Sequence, residues 1–426
     1  MRKLHRVAIA AFAALALAAP AALAQTAPAP VAKTADAAKL QVWFAVSGAN
    51  GEAFKGLLDR FNAVTADIDV SYSFSGSYGD TATKVSAALV SKTAPDVALM
   101  AAGPLYTGGQ GDFYMEGKIN EADFKKGDVF PGVWEYAKIK GRICAVPYGI
   151  SVPILYYNKT ILAKAGIDLA KNPPRSWDDL ARLARQAQAN GNVTGSTDFW
   201  GFDTTDAAWL FKTMLNQNGN TVINVKGDAI TAAFADDSAV QVATWWKKLV
   251  DDKVMPVGQH SNAEKKFLSG NVAFLVATSA RIDAWSKDPA NPAGATAMPF
   301  WKKASVALGG NVLVVLSQNP KLREASWRLV KWLASAEIQT EFALKTGYLP
   351  IRKSGVALPA AAAAVVKNPM YAIAFDQLDI SWSYFHFDQM GTMDQILVQA
   401  IDVIERGAAS PKDALSKAAK DLDAEM

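Results

Sequence analysis

The chain has 426 residues, 50% apolar and 20% charged, with 44 Lys and Arg against 40 Asp and Glu. That length supports two hydrophobic cores, and the near balance of charge leaves no basic field of the kind that nucleic acid requires. One cysteine, Cys144, makes no internal disulfide; it is expected as a small buried side chain beside Ile143 and Val146.

Residues 1–24 read as a secretory signal peptide. Arg2, Lys3 and Arg6 supply the positive start, Val7 to Leu17 the apolar run, and Ala22-Leu23-Ala24 the small-residue cleavage site. The run is shorter than the roughly 20 residues a membrane span needs. Gln25 follows the cleavage site where a lipoprotein would have Cys, so the expected location is the periplasm without a lipid anchor. Cleavage removes three cations and no acid, lowering the net charge from +4 to about +1. Residues 25–39, rich in Ala and Pro, read as a flexible leader.

Order is expected from Leu40-Gln41-Val42-Trp43-Phe44-Ala45, a short strand. Phe54, Leu57, Leu58 and Phe61 then recur at the spacing of an amphipathic helix. Residues 69–74 alternate as a second strand, 81–90 read as a helix, and 96–100 as a third strand. Such β-α-β-α-β alternation predicts a mostly parallel sheet covered by helices. From Val146 to Tyr157, Pro147, Gly149 and Pro153 interrupt a strand-forming run, the pattern of a segment crossing between two lobes. Ser176 with Asp179 three residues on forms a capping box that opens a helix. Further helices are expected at 238–250, from Leu322 to Leu333, and at 359–366, 393–405 and 412–424, with strands at 271–277 and 312–316.

Motifs of covalent chemistry are weak. Gly108-Gly109-Gln110-Gly111 lacks the Gly-Lys-Ser/Thr of a phosphate loop, and Ser75-Gly76-Ser77-Tyr78-Gly79 is not a nucleophile elbow. Beyond the signal, His260 and His386 are the remaining histidines and have no clustered Cys, His or Asp, so no metal or other cofactor is expected. Aromatic residues say more. With 12 Trp and 11 Tyr, several in loop-like contexts (Trp43, Tyr78, Trp200, Trp209, Tyr348, Trp382 and Tyr384), the chain has rings suited to stack on sugar or polyol C–H faces. Core packing is the alternative role for such rings, and it is the one expected of Trp245, Trp246, Trp327 and Trp332 on helices.

Four short blocks occur in order: Tyr156-Tyr157-Asn158-Lys159, Pro174-Arg175-Ser176-Trp177-Asp178-Asp179-Leu180, Gly309-Gly310, and Lys345-Thr346-Gly347-Tyr348-Leu349-Pro350. As an ordered set they resemble the extracellular solute-binding proteins of bacterial ABC importers, nearest the glycerol-3-phosphate-binding branch of the carbohydrate group. The resemblance implies a bilobed α/β periplasmic-binding-protein fold, lobe one at 40–149 plus 309–347 and lobe two at 150–308 plus 348–426. It implies a monomeric receptor that does no covalent chemistry, with a small-molecule ligand and the importer's membrane permease as partners. Carried over by motif, the ligand residues are Tyr78, Ser151, Thr278, Ser279, Gly310 (or Gly309), Tyr348 and, more loosely, Trp209. The loop rings Trp43 and Trp382 join them as candidate cleft residues.

Two positions depart from that pattern. Ala101-Ala102-Gly103 stands where the branch has a Glu, and Gln389 stands where it has a phosphate-binding Arg. Losing a guanidinium removes a bidentate, charge-assisted contact. Arg281 is a candidate replacement cation, with a plain surface position as its alternative; His386 is another if protonated. Two ligand classes therefore stay open: glycerol-3-phosphate, a glycerophosphodiester or a related phospho-compound, and a neutral sugar or oligosaccharide. A secreted hydrolase is the rival of a different class.

Overall fold

A computed structural model describes residues 30–102, 114–139, 141–227, 229–258, 260–287, 292–387 and 389–426. The segment expected to be a signal peptide, the start of the expected leader and the Gly108–Gly111 stretch lie outside the described residues.

The first sheet has five strands: β1 (Ala38–Phe44), β2 (Ile68–Phe74), β3 (Val97–Met100), β4 (Val146–Ser151) and, far along the chain, β10 (Gly309–Val315). Their order is β2-β1-β3-β10-β4. The first three run parallel, as the alternating pattern predicts, and β10 enters antiparallel to both β3 and β4. Helix α1 (Gly48–Val64) buries Phe54, Leu57, Leu58 and Phe61, the stripe legible in the sequence. Helix α2 (Tyr78–Val90) starts earlier than its apolar spacing suggests, because Ser77 and Asp80 close a capping box around its first turn.

The second sheet has four strands: β5 (Pro153–Asn158), β6 (Trp200–Thr204), β7 (Val272–Thr278) and β8 (Ala293–Thr296). Their order is β8-β5-β7-β6. Helices α3 (Trp177–Asn190), α4 (Ala207–Gln217) and α5 (Asp237–Asp251) belong with it, and α3 opens on the expected Ser176–Asp179 box. Among the described residues, no helix is long and apolar enough to cross a membrane.

The chain passes between the sheets at three places. Val152 alone separates β4 from β5; its N–H donates to Ser279 Oγ and its carbonyl accepts from the Ser279 N–H. A two-residue strand β9 (Val306–Ala307) leads into β10 and pairs in parallel with β11 (Ser381–Trp382). After β10 come α6 (Pro320–Leu333) and α7 (Ala336–Thr346), and the chain stays with the first sheet past residue 347. Leu349 bridges Ile150, Arg352 bridges Val129, and Ser354 donates to Asp128. The return toward the second sheet follows, through the helix Met370–Asp376, which packs on β8. The last helices are α8 (Met390–Glu405) and α9 (Pro411–Ala424), packed on each other and on α5.

His260 ties this second half together. Its Nδ1 is 2.7 Å from Asp203 at the end of β6, and its Nε2 is 2.8 Å from Glu405 at the end of α8. Cys144 is buried as expected, and burial pushes its thiol up to about 12, so it stays protonated.

Candidate functional site

The junction of β10 with β4 is built by two glycines. Gly310 has φ +121° and a Cβ there would lie 1.9 Å from the Gly149 carbonyl, so only glycine fits. The ladder shifts register between Gly310 and Val312. This irregularity turns Asn311 inward, where its Oδ1 accepts from the Gly149 N–H and its Nδ2 donates to the Tyr78 hydroxyl. Tyr136, ending the helix Pro131–Tyr136, donates to the Gly310 carbonyl at 2.8 Å.

Tyr78 and Tyr348 meet here from opposite ends of the first sheet's sequence. Ser77 caps α2 and sets Tyr78 as its first residue. Gly347 ends α7 with φ +75°, against the Ala280 carbonyl where a Cβ would come within 2.6 Å, and so delivers Tyr348 to the same point. The two phenol oxygens are 3.1 Å apart. One hydroxyl proton serves that bond; with Asn311 donating to Tyr78, the other proton is left to donate outward. Burial raises the pKa of Tyr78 and carries those of Tyr136 and Tyr348 well above the usual phenol value. All three are neutral at physiological pH.

From the second half come Trp209 and a run of rings at the C-terminal side. Asp206 caps α4 by accepting from the Trp209 N–H. The Trp209 ring lies over Gly309, 3.2 Å from where its Cβ would be, with Ser151 Oγ at 3.3 Å from the same point. Trp382 meets Tyr384 edge-on at 5.6 Å, Tyr384 meets His386 at 5.8 Å, and His386 meets Tyr136 at 5.4 Å. Trp209 Nε1 and Trp382 Nε1 are buried, with no hydrogen-bond partner among the described residues.

The charges fall differently from the sequence expectation. His386 is buried with Nδ1 against the Lys138 carbonyl, and burial lowers its pKa to about 4. It is neutral at physiological pH, which removes it as a phosphate-binding cation. Arg281 bonds Glu264 at 2.9 Å, with its side chain 46% exposed; this is the surface position that was its alternative. Gln389 stands half-buried at the start of α8 and caps it without a side-chain bond. Of Ala101 and Ala102, neither supplies a carboxylate, and Ala102 is buried.

Other candidates sit in or beside regular elements. Ser279 Oγ accepts from the Val152 N–H at the crossing, and Thr278 caps the next turn by accepting from the Ala280 N–H. Trp43 is half-buried in β1 opposite Ala98 and Ser73, Trp200 lies in β6 and donates to Asp198, and Trp209 lies in a helix. None of these three tryptophans sits in a loop.

The sequence also hid a cation. Lys212, three residues after Trp209 and on the same face of α4, is fully buried. Its ammonium lies 4.2 Å from the Tyr384 ring centre and 2.5 Å from Asp394 Oδ1. Burial works against its charge, but Asp394, Tyr384 and Asp206 outweigh it and raise the pKa above the usual lysine value. Nothing local distinguishes Lys212 from an exposed helical lysine; a sequence separation of 182 from Asp394 puts the pair beyond sequence periodicity.

Two sheets joined by short crossings, with aromatic rings from both halves gathered beside the crossings, are the bilobed α/β architecture of periplasmic binding proteins. Residues 56–370 match the family described as bacterial extracellular solute-binding protein, and the chain belongs to that family. Among curated relatives, the sn-glycerol-3-phosphate-binding periplasmic protein UgpB of Rhizobium meliloti is 26% identical over 355 residues, covering 78% of this chain and 80% of the relative. The protein of the same name from Escherichia coli K12 is 24% identical over 403 residues, covering 88% and 90%. Among solved structures, the cyclic alpha-maltosyl-1,6-maltose binding protein of Arthrobacter globiformis superposes with TM-score 0.79 at 25% identity, covering 91% of this chain and 98% of that one. UgpB of Mycobacterium tuberculosis in complex with glycerophosphocholine gives TM-score 0.77 at 20% identity, with the same coverage.

Proposed function

We propose that this chain is the periplasmic receptor of an ABC importer and takes a neutral polyhydroxy ligand, a sugar or oligosaccharide, between its lobes. The observation that carries this is the donor set. Trp209 and Trp382 each hold a buried indole N–H without a partner among the described residues, and the Tyr78–Tyr348 pair has a hydroxyl proton to spare. Uncharged donors beside aromatic faces suit hydroxyl and ring oxygens stacked by their C–H faces. Buried donors of this kind are costly when unsatisfied, so a ligand that meets them from both sides favours the closed form. Lobe one is then 40–151 with 309–356, lobe two is 153–308 with 370–426, and the monomer delivers its ligand to the membrane permease without covalent chemistry.

A phospho-compound is the second reading, favoured by the curated relatives named for sn-glycerol-3-phosphate. The deciding experiment is a thermal-shift panel on residues 25–426 with mono- to oligosaccharides, glycerol-3-phosphate and glycerophosphocholine. At 100 times its dissociation constant a ligand adds about 2.7 kcal/mol, a readily visible shift. Shifts with neutral sugars support the proposal; shifts with phospho-compounds alone overturn it in favour of the second reading. Release of product on prolonged incubation would instead point to a hydrolase.

A further inference from the structure

We infer that Lys212 and Asp394 are a specificity-determining pair: Asp394 cancels the charge of a cation built into the ring-lined site, and so keeps the site selective for neutral ligands over anionic ones. This rests on the neutral-ligand reading above and adds the residues that enforce it.

The placement carries the argument. Lys212 shares its face of α4 with Trp209, whose ring covers Gly309 at the β10–β4 junction. Its ammonium sits on Tyr384, and Tyr384 is in edge contact with Trp382 on one side and His386 on the other. Lys212 therefore belongs to the same ring set as Tyr136 and the Gly310 carbonyl, not to the outer surface. Its side chain is 1% exposed, whereas that of Asp394 is 44% exposed. A lysine whose only role was solubility would not be buried, since burying an ammonium costs several kcal/mol unless it is paired. The ammonium's hydrogen-bond position is already taken by a protein carboxylate. A ligand phosphate would have to displace Asp394 or share one ammonium with it. A neutral hydroxyl meets no such repulsion. The partner comes from the first turns of α8, the same stretch that Gln389 opens.

The pair makes a gain-of-function test possible. Asp394→Asn keeps the shape and removes the ammonium's hydrogen-bonded counter-charge, leaving Asp206 as a weaker one. By calorimetry at pH 7, inorganic phosphate and glycerol-3-phosphate should bind this variant roughly tenfold or more tighter than the wild type, the gain expected of a charge-assisted contact. Asp394→Ser, which keeps a small acceptor for the ammonium, is the second variant should Asn not be tolerated. Lys212→Met combined with Asp394→Asn should lose the anion gain, because the cation that would supply it is gone. The inference is overturned if a folded Asp394→Asn or Asp394→Ser gains no phosphate affinity, or if the double variant gains as much, since Lys212 would then not be the source. It is also overturned if the wild type binds phosphate and Lys212→Met abolishes it, since the cation would already be in use. The neutral-ligand reading fails separately, on the wild-type panel alone.

Discussion

Replacing His260 with Ala should strip the second lobe of much of its stability at neutral pH. The imidazole is clamped at 2.7 Å from Asp203 and 2.8 Å from Glu405, two carboxylates with side chains 0% exposed. Burial of the ring works against its charge, but the two carboxylates outweigh it and raise its pKa from 6.5 to about 9. His260 is thus an imidazolium at pH 7. A displacement of that size corresponds to about 3 kcal/mol of preferential proton binding by the folded state. Burial also raises the pKa of Asp203, and that desolvation cost offsets part of the gain. Because the folded value lies above the unfolded one, the contribution is fully present below about pH 6.5 and is lost as pH rises through about 9.

Without the ring, Asp203 keeps one donor, the Thr204 N–H, while Glu405 keeps the Gly258 N–H and Trp246 Nε1. Two buried carboxylates then lack their cation, and breaking such a cluster from one side costs about 3–5 kcal/mol. Urea titrations followed by tryptophan fluorescence read this directly, since Trp246 lies 5.8 Å from the His260 ring. Wild type should lose about 2–3 kcal/mol between pH 6.5 and 9.5, and His260→Ala should be destabilised at pH 6.5 yet nearly flat across that range. A variant less than about 1 kcal/mol weaker at pH 6.5, or one with the wild-type pH slope, would refute the reasoning.

Tyr78→Phe and Tyr348→Phe should each weaken ligand binding by about tenfold in calorimetry, one hydrogen bond's worth. The double variant should cost less than the two singles together, because the hydroxyls share one bond; additive losses would show that they act apart. Gly310→Ala should destabilise the first lobe by more than the ~1–3 kcal/mol of its backbone strain, because the Gly149 carbonyl occupies the Cβ position; a wild-type urea midpoint would contradict this. Cys144 should react with a thiol reagent only on unfolding, given its burial and a pKa of about 12; rapid labelling of the native protein would show an opening of that region.

Local patterns were legible in the chain where the physics is local. The α1 stripe and the Ser176–Asp179 capping box depend on side chains within one or two turns, and the structure reproduces both. The ordered short blocks pointed to the family, and the aromatic count pointed to rings, of which Tyr78, Trp209, Tyr348, Trp382 and Tyr384 come to the junction. Folding alone decided the charges. Arg281 looked available because it follows Thr278-Ser279, but Glu264 on a separate helix holds its guanidinium at the surface. His386 looked titratable until burial made it neutral. Lys212 looked like any helical lysine until Asp394, 182 residues away, was brought to its ammonium. Periodicity and capping record a residue's relation to its sequence neighbours, whereas desolvation and Coulomb energy depend on what the fold brings from elsewhere, and a binding site's selectivity lies in the latter.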